Sequence, residues 1–452
     1  MKKLRFTFST THIIMLSFIL CILLGSVLLS LPISSANGEA VSYLDALFTA
    51  TTSTCVTGLV TVTTATTWST FGHIVILLLI QIGGLGIITT MAGFMIALHK
   101  RVSLKNRLLL QDAFNLNSMS GLVRFVKKVL IGTFIIEGLG ALLYMIVFVP
   151  EFGARGIWIS VFNSVSAFCN AGIDIIGSTS LMNYATNPLV NGVTAFLVIM
   201  GGIGFIVWWD VILAAKTNSA RNGRFFSRLT LHSKIALCST AVLLIAGTGL
   251  FLAFEYNNPE TIGNMNLFDK MQVSFFQSVT TRTAGFDSIG QAGITDESAI
   301  ISLLLMFIGG SPVGTAGGIK TVTFAVILAS AISSVRGKSE TTMFNRNISK
   351  EAVRKAISVT VLSFSIMFIS TLLLCAVTSA DILDIVYETT SATATVGLSR
   401  NLTPTLPSTG KLIIIATMYL GRVGPISLAI AFKLRKENHN IIKNPTEDIS
   451  IG

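Results

Sequence analysis

One pattern restricts this chain more than any other: a short polar segment ending in glycine that occurs four times at almost constant spacing. The segments read FTATTSTCVTGL, FNSVSAFCNAGI, FFQSVTTRTAGF and YETTSATATVGL, with their glycines at Gly58, Gly172, Gly285 and Gly397. Those glycines lie 114, 113 and 112 residues apart, and four such intervals fill the 452-residue chain. Ten residues before each comes an aromatic (Phe48, Phe162, Phe275, Tyr387), and directly after it a large apolar residue (Leu59, Ile173, Phe286, Leu398). Two matched positions at fixed spacing make this an internal fourfold repeat. Each segment is too short and too rich in Thr and Ser to span a bilayer. Its glycine gives the backbone conformations closed to residues with a Cβ.

Long apolar runs flank every segment: 13–31, 71–98, 129–149, 189–215, 235–254, 299–333, 356–377 and 412–432. Each reaches the length of a spanning helix, about 20 residues at 1.5 Å rise. Only 12% of the chain is charged and 52% is hydrophobic, against about 25% charged in soluble domains, so the pattern is that of an integral membrane protein. The expected fold is all-α: four helix–pore-loop–helix repeats in pseudo-fourfold arrangement around a central pore, with eight transmembrane spans and four re-entrant pore helices. The repeats are expected over 1–105, 106–220, 221–340 and 341–432, followed by a cytoplasmic tail over 433–452. The first run follows Lys2, Lys3 and Arg5 and could pass for a secretory signal. It is longer than a signal core of about 7–15 residues, and the first repeat needs it as its leading helix.

Charge orients the chain. Of 32 basic residues, 25 fall in the N-terminus and the segments 99–128, 216–234, 336–355 and 433–452, all on one side of the eight runs. The positive-inside rule makes the termini and repeat linkers cytoplasmic, with the glycine-ended segments entering from outside. The net charge of +11 is then a topology signal, and nucleic-acid binding is disfavoured. The five cysteines and five histidines are scattered, without metal-ligand spacing. Cys55 and Cys169 each stand three residues before a repeat glycine.

Four repeats of like orientation can close around an axis normal to the membrane, bringing their turns together. Turns of Gly and small residues present backbone carbonyls, and rings of such oxygens replace the hydration shell of a monovalent cation. The short helix before each turn aims its partially negative C-terminal end at the same place. No aligned turn position holds a carboxylate, which disfavours divalent selectivity.

The segments TCVTGL, CNAGI, TRTAGF and ATVGL resemble the Trk/Ktr/HKT superfamily of potassium-translocating proteins over essentially the whole chain, and are most similar to the bacterial Ktr-type membrane subunit. The resemblance implies potassium uptake across the bacterial plasma membrane. Its filter would be lined by the backbone of Thr54, Cys55, Val56, Thr57 and Gly58; Phe168, Cys169, Asn170, Ala171 and Gly172; Thr281, Arg282, Thr283, Ala284 and Gly285; and Thr393, Ala394, Thr395, Val396 and Gly397. In related proteins a Ser at the first filter glycine accompanies sodium transport; Gly58 here favours potassium. No cofactor is expected on this chain. K+ is the transported ion, Na+ a candidate coupling or activating ion, and nucleotide would bind only to a partner. The implied assembly is a homodimer in the bilayer on a cytosolic ring of nucleotide-binding regulatory subunits. The basic linkers and the tail are the expected contact surfaces.

Two features lie beyond the turns. The run 299–333 is interrupted by Gly309, Gly310, Ser311, Pro312, Val313, Gly314, Thr315, Ala316, Gly317 and Gly318. As one helix it would extend about 52 Å through a core of about 30 Å, and its glycines and proline disfavour continuous helix. A broken helix is expected, and the resemblance makes its loop an intramembrane gate. A phosphate-loop reading fails because Ile319 separates Gly318 from Lys320. Aligning Gly84, Gly202, Gly310 and Gly421 places Arg422 opposite Leu85, Ile203 and Ser311. There it is expected either to raise a barrier to cations beside the gate or to pair with an acid such as Glu388. Glu137 is expected to be held structurally, and Arg282 to point behind its turn. The rival readings are a secondary transporter of sodium or another small solute, which would show inverted repeats with helices broken in matching halves, and an intramembrane enzyme, for which no convergent polar cluster is visible.

Overall fold

The computed structural model describes residues 10–98, 108–110, 121–216 and 225–424. The tail 433–452, the N-terminal Lys2, Lys3 and Arg5, and most of the 99–120 linker lie outside the described residues. Helices dominate. Among the described residues, four are long and apolar enough to cross a membrane: Thr10–Leu29, Leu122–Phe152, Leu231–Glu255 and Lys350–Cys375; each bent pair described below, counted as one span, raises the number to as many as six. These four expose rows of large side chains, among them Leu20, Phe134, Ile245 and Phe368, the surface expected of helices whose solvent is hydrocarbon.

Each long helix leads to a short one that carries a polar segment: Tyr43–Cys55, Ala154–Cys169, Leu267–Thr280 and Ile382–Ala394. These short helices are buried along most of their length although rich in hydroxyls. Several of these hydroxyls are satisfied locally: Thr51, Ser53, Ser160 and Thr389 donate to carbonyls four residues back, whereas those of Thr54, Ser274 and Thr393 are buried without a partner. Phe48, Phe162 and Tyr387 are buried as their register requires, but Phe275 is partly exposed and Phe276 takes the interior position. The third turn is therefore one residue shorter than the others, and counting ten residues back from its glycine overshoots the true equivalent by one.

After each short helix the chain returns through an inner helix: Thr70–Leu85, Pro188–Gly202, Asp296–Phe307 and Ser408–Val423. The expectation of a single broken helix in the third repeat is too narrow. The first inner helix turns by 99° into Ile87–Ala97 and the second by 96° into Phe205–Lys216. The breaks coincide with Gly86 and Gly204, and the fourth inner helix ends at Gly424, all three at φ between 84° and 96°. Residues with a Cβ rarely adopt that conformation. Pro312 holds the matching place in the third repeat, whose helix stops at Phe307 and resumes only at Thr321.

The linker 336–355 departs from an all-helical plan. Thr341–Met343 pairs antiparallel with Arg346–Ile348 across Phe344 and Asn345, both at positive φ, the geometry of a tight two-residue hairpin.

Candidate functional site

Two places before each glycine stands a residue in the left-handed region: Val56, Asn170, Thr283 and Thr395, with φ from 51° to 66°; in the first, second and fourth repeats that residue caps the short helix. In the first, second and fourth repeats the next amide folds back five residues along the segment. Thr57 N donates to Thr52 O, Ala171 N to Ser166 O and Val396 N to Ser391 O, each at 2.8 Å. This is a Schellman-type close. The hydroxyls of the same three residues then accept from the chain beyond: Thr52 from Gly58 N, Ser166 from Ile173 N and Ser391 from Gly397 N. In the shorter third turn Thr280 does this work, accepting Ala284 N and donating its hydroxyl to Phe286 O. A hydroxyl six residues before the glycine was a readable signal that the sequence reading passed over.

The four turns meet. A Cβ placed on Gly58 would lie 2.5 Å from Ala171 O, one on Gly172 2.5 Å from Ala284 O, one on Gly285 2.4 Å from Val396 O, and one on Gly397 2.2 Å from Thr57 O. Each repeat thus abuts the next and the fourth returns to the first, closing a ring. The carbonyls that reach the neighbouring glycines belong to Thr57, Ala171, Ala284 and Val396. Those of Thr54, Phe168 and Thr393 are packed instead on the inner helices, where a Cβ on Gly83, Gly201 or Gly421 would fall within 2.1 Å of them. Of each expected window the end near the glycine faces the ring, and in the first, second and fourth its first carbonyl backs onto an inner helix.

These contacts also correct the alignment of the inner helices. Gly83, Gly201 and Gly421 do the same job, and Gly309 packs on Thr283 in the third repeat. Arg422 therefore stands where the other repeats have Gly84, Gly202 and Gly310, one place from the alignment read from sequence.

A cavity of about 170 Å³ lies on one side of the ring, lined by all four glycines together with Asp174, Asp287 and Gln291. On the other side are two cavities of about 280 and 260 Å³, both lined by Ala316, Lys320 and Arg422. The ring is a constriction between them.

Beneath it runs the loop 308–320. A broken helix leaves carbonyls and amides without partners, and here the loop and the second repeat's break satisfy each other. Ser311 N donates to Gly202 O, Thr315 N to Gly201 O, and Phe205 N to Val313 O. Ile308 and Ile319 pair as a parallel bridge at the loop's neck, and Ser311 and Thr321 share a hydroxyl hydrogen bond. Gly309, Gly310, Pro312, Gly314 and Gly318 pack closely here; a Cβ on Gly310 would meet Ala316 at 2.4 Å.

Arg422 donates from Nη1 to Thr315 O at 2.7 Å and from Nη2 to Gly83 O at 2.5 Å. It makes no ion pair among the described residues. Glu388 is instead bound by the hydroxyls of Ser399 and Thr403, so the expected pairing with that acid does not occur. Arg282 is buried and reaches Gly309 O at 3.1 Å, behind its turn. Glu137 accepts from Gln81 Nε2 at 3.1 Å, with the Cys169 thiol beside it, and Gly84 leaves the room that Cys169 fills.

A model of the family "TrkH: Cation transport protein" matches residues 4–443. The chain belongs to the TrkH family of cation transport proteins. It is 40% identical over 452 residues to the Ktr system potassium uptake protein B of Bacillus subtilis, covering all of this chain and 98% of the relative. It is 38% identical to the potassium/sodium uptake protein NtpJ of Enterococcus hirae, covering all of this chain and 99% of that one. The crystal structure of the potassium transporter TrkH from Vibrio parahaemolyticus superposes with a TM-score of 0.74 at 16% identity, over 96% of this chain and 87% of that one. The family expected from the filter segments is thus the family found, and this TrkH-family chain shares its fold with that transporter.

Proposed function

We propose that this chain is the ion-translocating membrane subunit of a potassium uptake system, with the four turns as its selectivity filter. The observation that carries the proposal is the closed ring of four glycines, each beside the neighbouring repeat's carbonyl, between an outer and an inner cavity. Fixed carbonyls in such a ring replace the water around a monovalent cation. Three relatives are named as proteins of a Ktr potassium uptake system. In this reading each repeat supplies two spans and a re-entrant pore helix, giving eight and four, with boundaries near 105, 220 and 340. The termini face the cytoplasm, as the distribution of basic residues requires. The loop 309–318 is the gate. Arg422 acts with it as a cationic barrier, since carbonyls rather than an acid hold its guanidinium. A homodimer working on a cytosolic ring of nucleotide-binding subunits completes the assembly.

The test is growth of a potassium-uptake-deficient bacterium at limiting potassium. Rescue is expected; a correctly inserted protein that restores no growth and moves no potassium in liposomes would end the proposal. The match to a protein named for potassium and sodium uptake favours a role for sodium as well. Potassium uptake assayed with and without external sodium distinguishes an obligatory sodium requirement from none.

A further inference from the structure

The gate loop touches the filter directly, and it does so at one recurring position. The residues two places before the filter glycines hold left-handed backbone, a conformation that is strained for side-chain-bearing residues and persists only where the surroundings enforce it. In three of the four turns the loop supplies part of that enforcement. Thr315 Oγ1 lies 2.9 Å from Asn170 Oδ1 and 3.0 Å from Phe168 O in the second turn. Gly317 N donates to Thr283 Oγ1 of the third turn at 3.1 Å. A Cβ on Gly317 would fall 2.0 Å from Thr395 Oγ1 of the fourth. Val56 of the first turn is packed on its own inner helix, at Gly83.

Thr315 is itself fixed from its own backbone, by Gly201 O and by Arg422. Its single hydroxyl proton cannot serve both acceptors, and the Asn170 Nδ2 group is buried without a partner. Turning that amide over removes the conflict at the hydroxyl: Asn170 donates to Thr315, and Thr315 donates to the Phe168 carbonyl. The contact is thus a short relay from the loop into the backbone of the second turn.

We infer that the loop is a clamp on the filter as well as an obstruction below it, with Thr315 as its positioning residue. The inference rests on the reading of the four turns as the filter. Displacing the loop removes the Thr315 and Gly317 contacts together, so three turns relax when the gate moves. Because coupling between two sites is reciprocal, an ion that fits the filter also favours the seated loop. Selectivity then belongs to the filter and loop jointly.

The test uses the full-length protein in liposomes, with potassium and sodium fluxes measured separately for Thr315→Val, Thr315→Ser and Gly317→Ala. Thr315→Val keeps the shape and removes the hydroxyl. Its potassium-over-sodium preference is expected to fall about tenfold, the size of effect expected when one buried hydrogen bond is lost. Thr315→Ser restores the hydroxyl and is expected to keep the preference within about twofold. A variant that merely incorporates poorly lowers both fluxes in proportion and leaves their ratio alone. If Thr315→Val and Gly317→Ala keep the wild-type ratio while passing more ion, the loop only obstructs and the inference is wrong. Should the valine variant fail to insert, the decision passes to purified Gly317→Ala protein. There the extra thermal protection by potassium over sodium is expected to vanish, and its persistence overturns the inference. Substitution of Gly58 reports on the filter reading separately: an unchanged ratio there removes the premise, whatever Thr315 does.

Discussion

Replacing Gly58 with serine is the sharpest perturbation the ring offers. Gly58 sits at φ +101°, and a Cβ there would approach Ala171 O to 2.5 Å and Gly397 Cα to 3.1 Å. Both neighbours are backbone in adjacent turns, so neither can swing aside as a side chain would. The left-handed conformation alone costs a residue with a Cβ roughly 1–2 kcal/mol. Displacing the Ala171 carbonyl adds a loss of similar size at the ring. Taken together at about 2–4 kcal/mol, the change corresponds to roughly 30- to 700-fold in potassium affinity. The serine hydroxyl narrows the ring and adds an oxygen of its own, so sodium, the smaller ion, is expected to enter more readily than in wild type. The assay is potassium uptake against concentration in a potassium-uptake-deficient strain, with sodium competition and immunodetection of the membrane-inserted protein. Gly138→Ala is the control, since a Cβ there meets nothing within 4 Å and the backbone is ordinary. A Gly58→Ser protein inserted at normal abundance with unchanged half-saturation and ion preference would refute the placement of this glycine in the ion path.

Other perturbations test the surroundings of the ring. Deleting residues 311–317 is expected to raise maximal potassium flux several-fold; an inserted protein with no transport would remove the loop from its gating role. Arg422→Ala is expected to raise flux while lowering the unfolding temperature of the purified protein, because buried carbonyls of Thr315 and Gly83 lose their donor at about 1–3 kcal/mol each; unaltered flux counts against a barrier. Gly201→Ala would drive a methyl to 1.9 Å from Phe168 O and is expected to abolish transport, whereas Gly192→Ala, with nothing within 4 Å, is expected to behave as wild type; equal behaviour of the two contradicts the packing argument. Glu137→Gln retains the contact with Gln81 and is expected to leave uptake within about twofold, while Glu137→Leu leaves Gln81 without its partner and is expected to reduce the inserted protein. If glutamine is as harmful as leucine, the carboxylate charge itself matters.

The amino-acid sequence alone settled what depends on local composition and repetition: membrane class, fourfold duplication, the four glycine-ended turns and the interruption at 309–318. Hydropathy and glycine spacing are properties of neighbouring residues, so they survive without coordinates. Tertiary structure decided whatever depends on which residues meet across repeats. The shortened third turn moved the buried aromatic from Phe275 to Phe276, a shift that counting from the glycine cannot reveal. The bends at Gly86 and Gly204 were hidden because each lies in an otherwise unbroken apolar run, where its glycines (Gly83, Gly84 and Gly86; Gly201, Gly202 and Gly204) are also compatible with close packing of a continuous helix. Arg422 found its partners in carbonyls more than a hundred residues away, and backbone groups leave no signature in side-chain identity. The closure of the ring and the grip of Thr315 on the second turn are of the same kind. They arise from contacts between chain segments, and a linear sequence records the segments without recording how closely they approach.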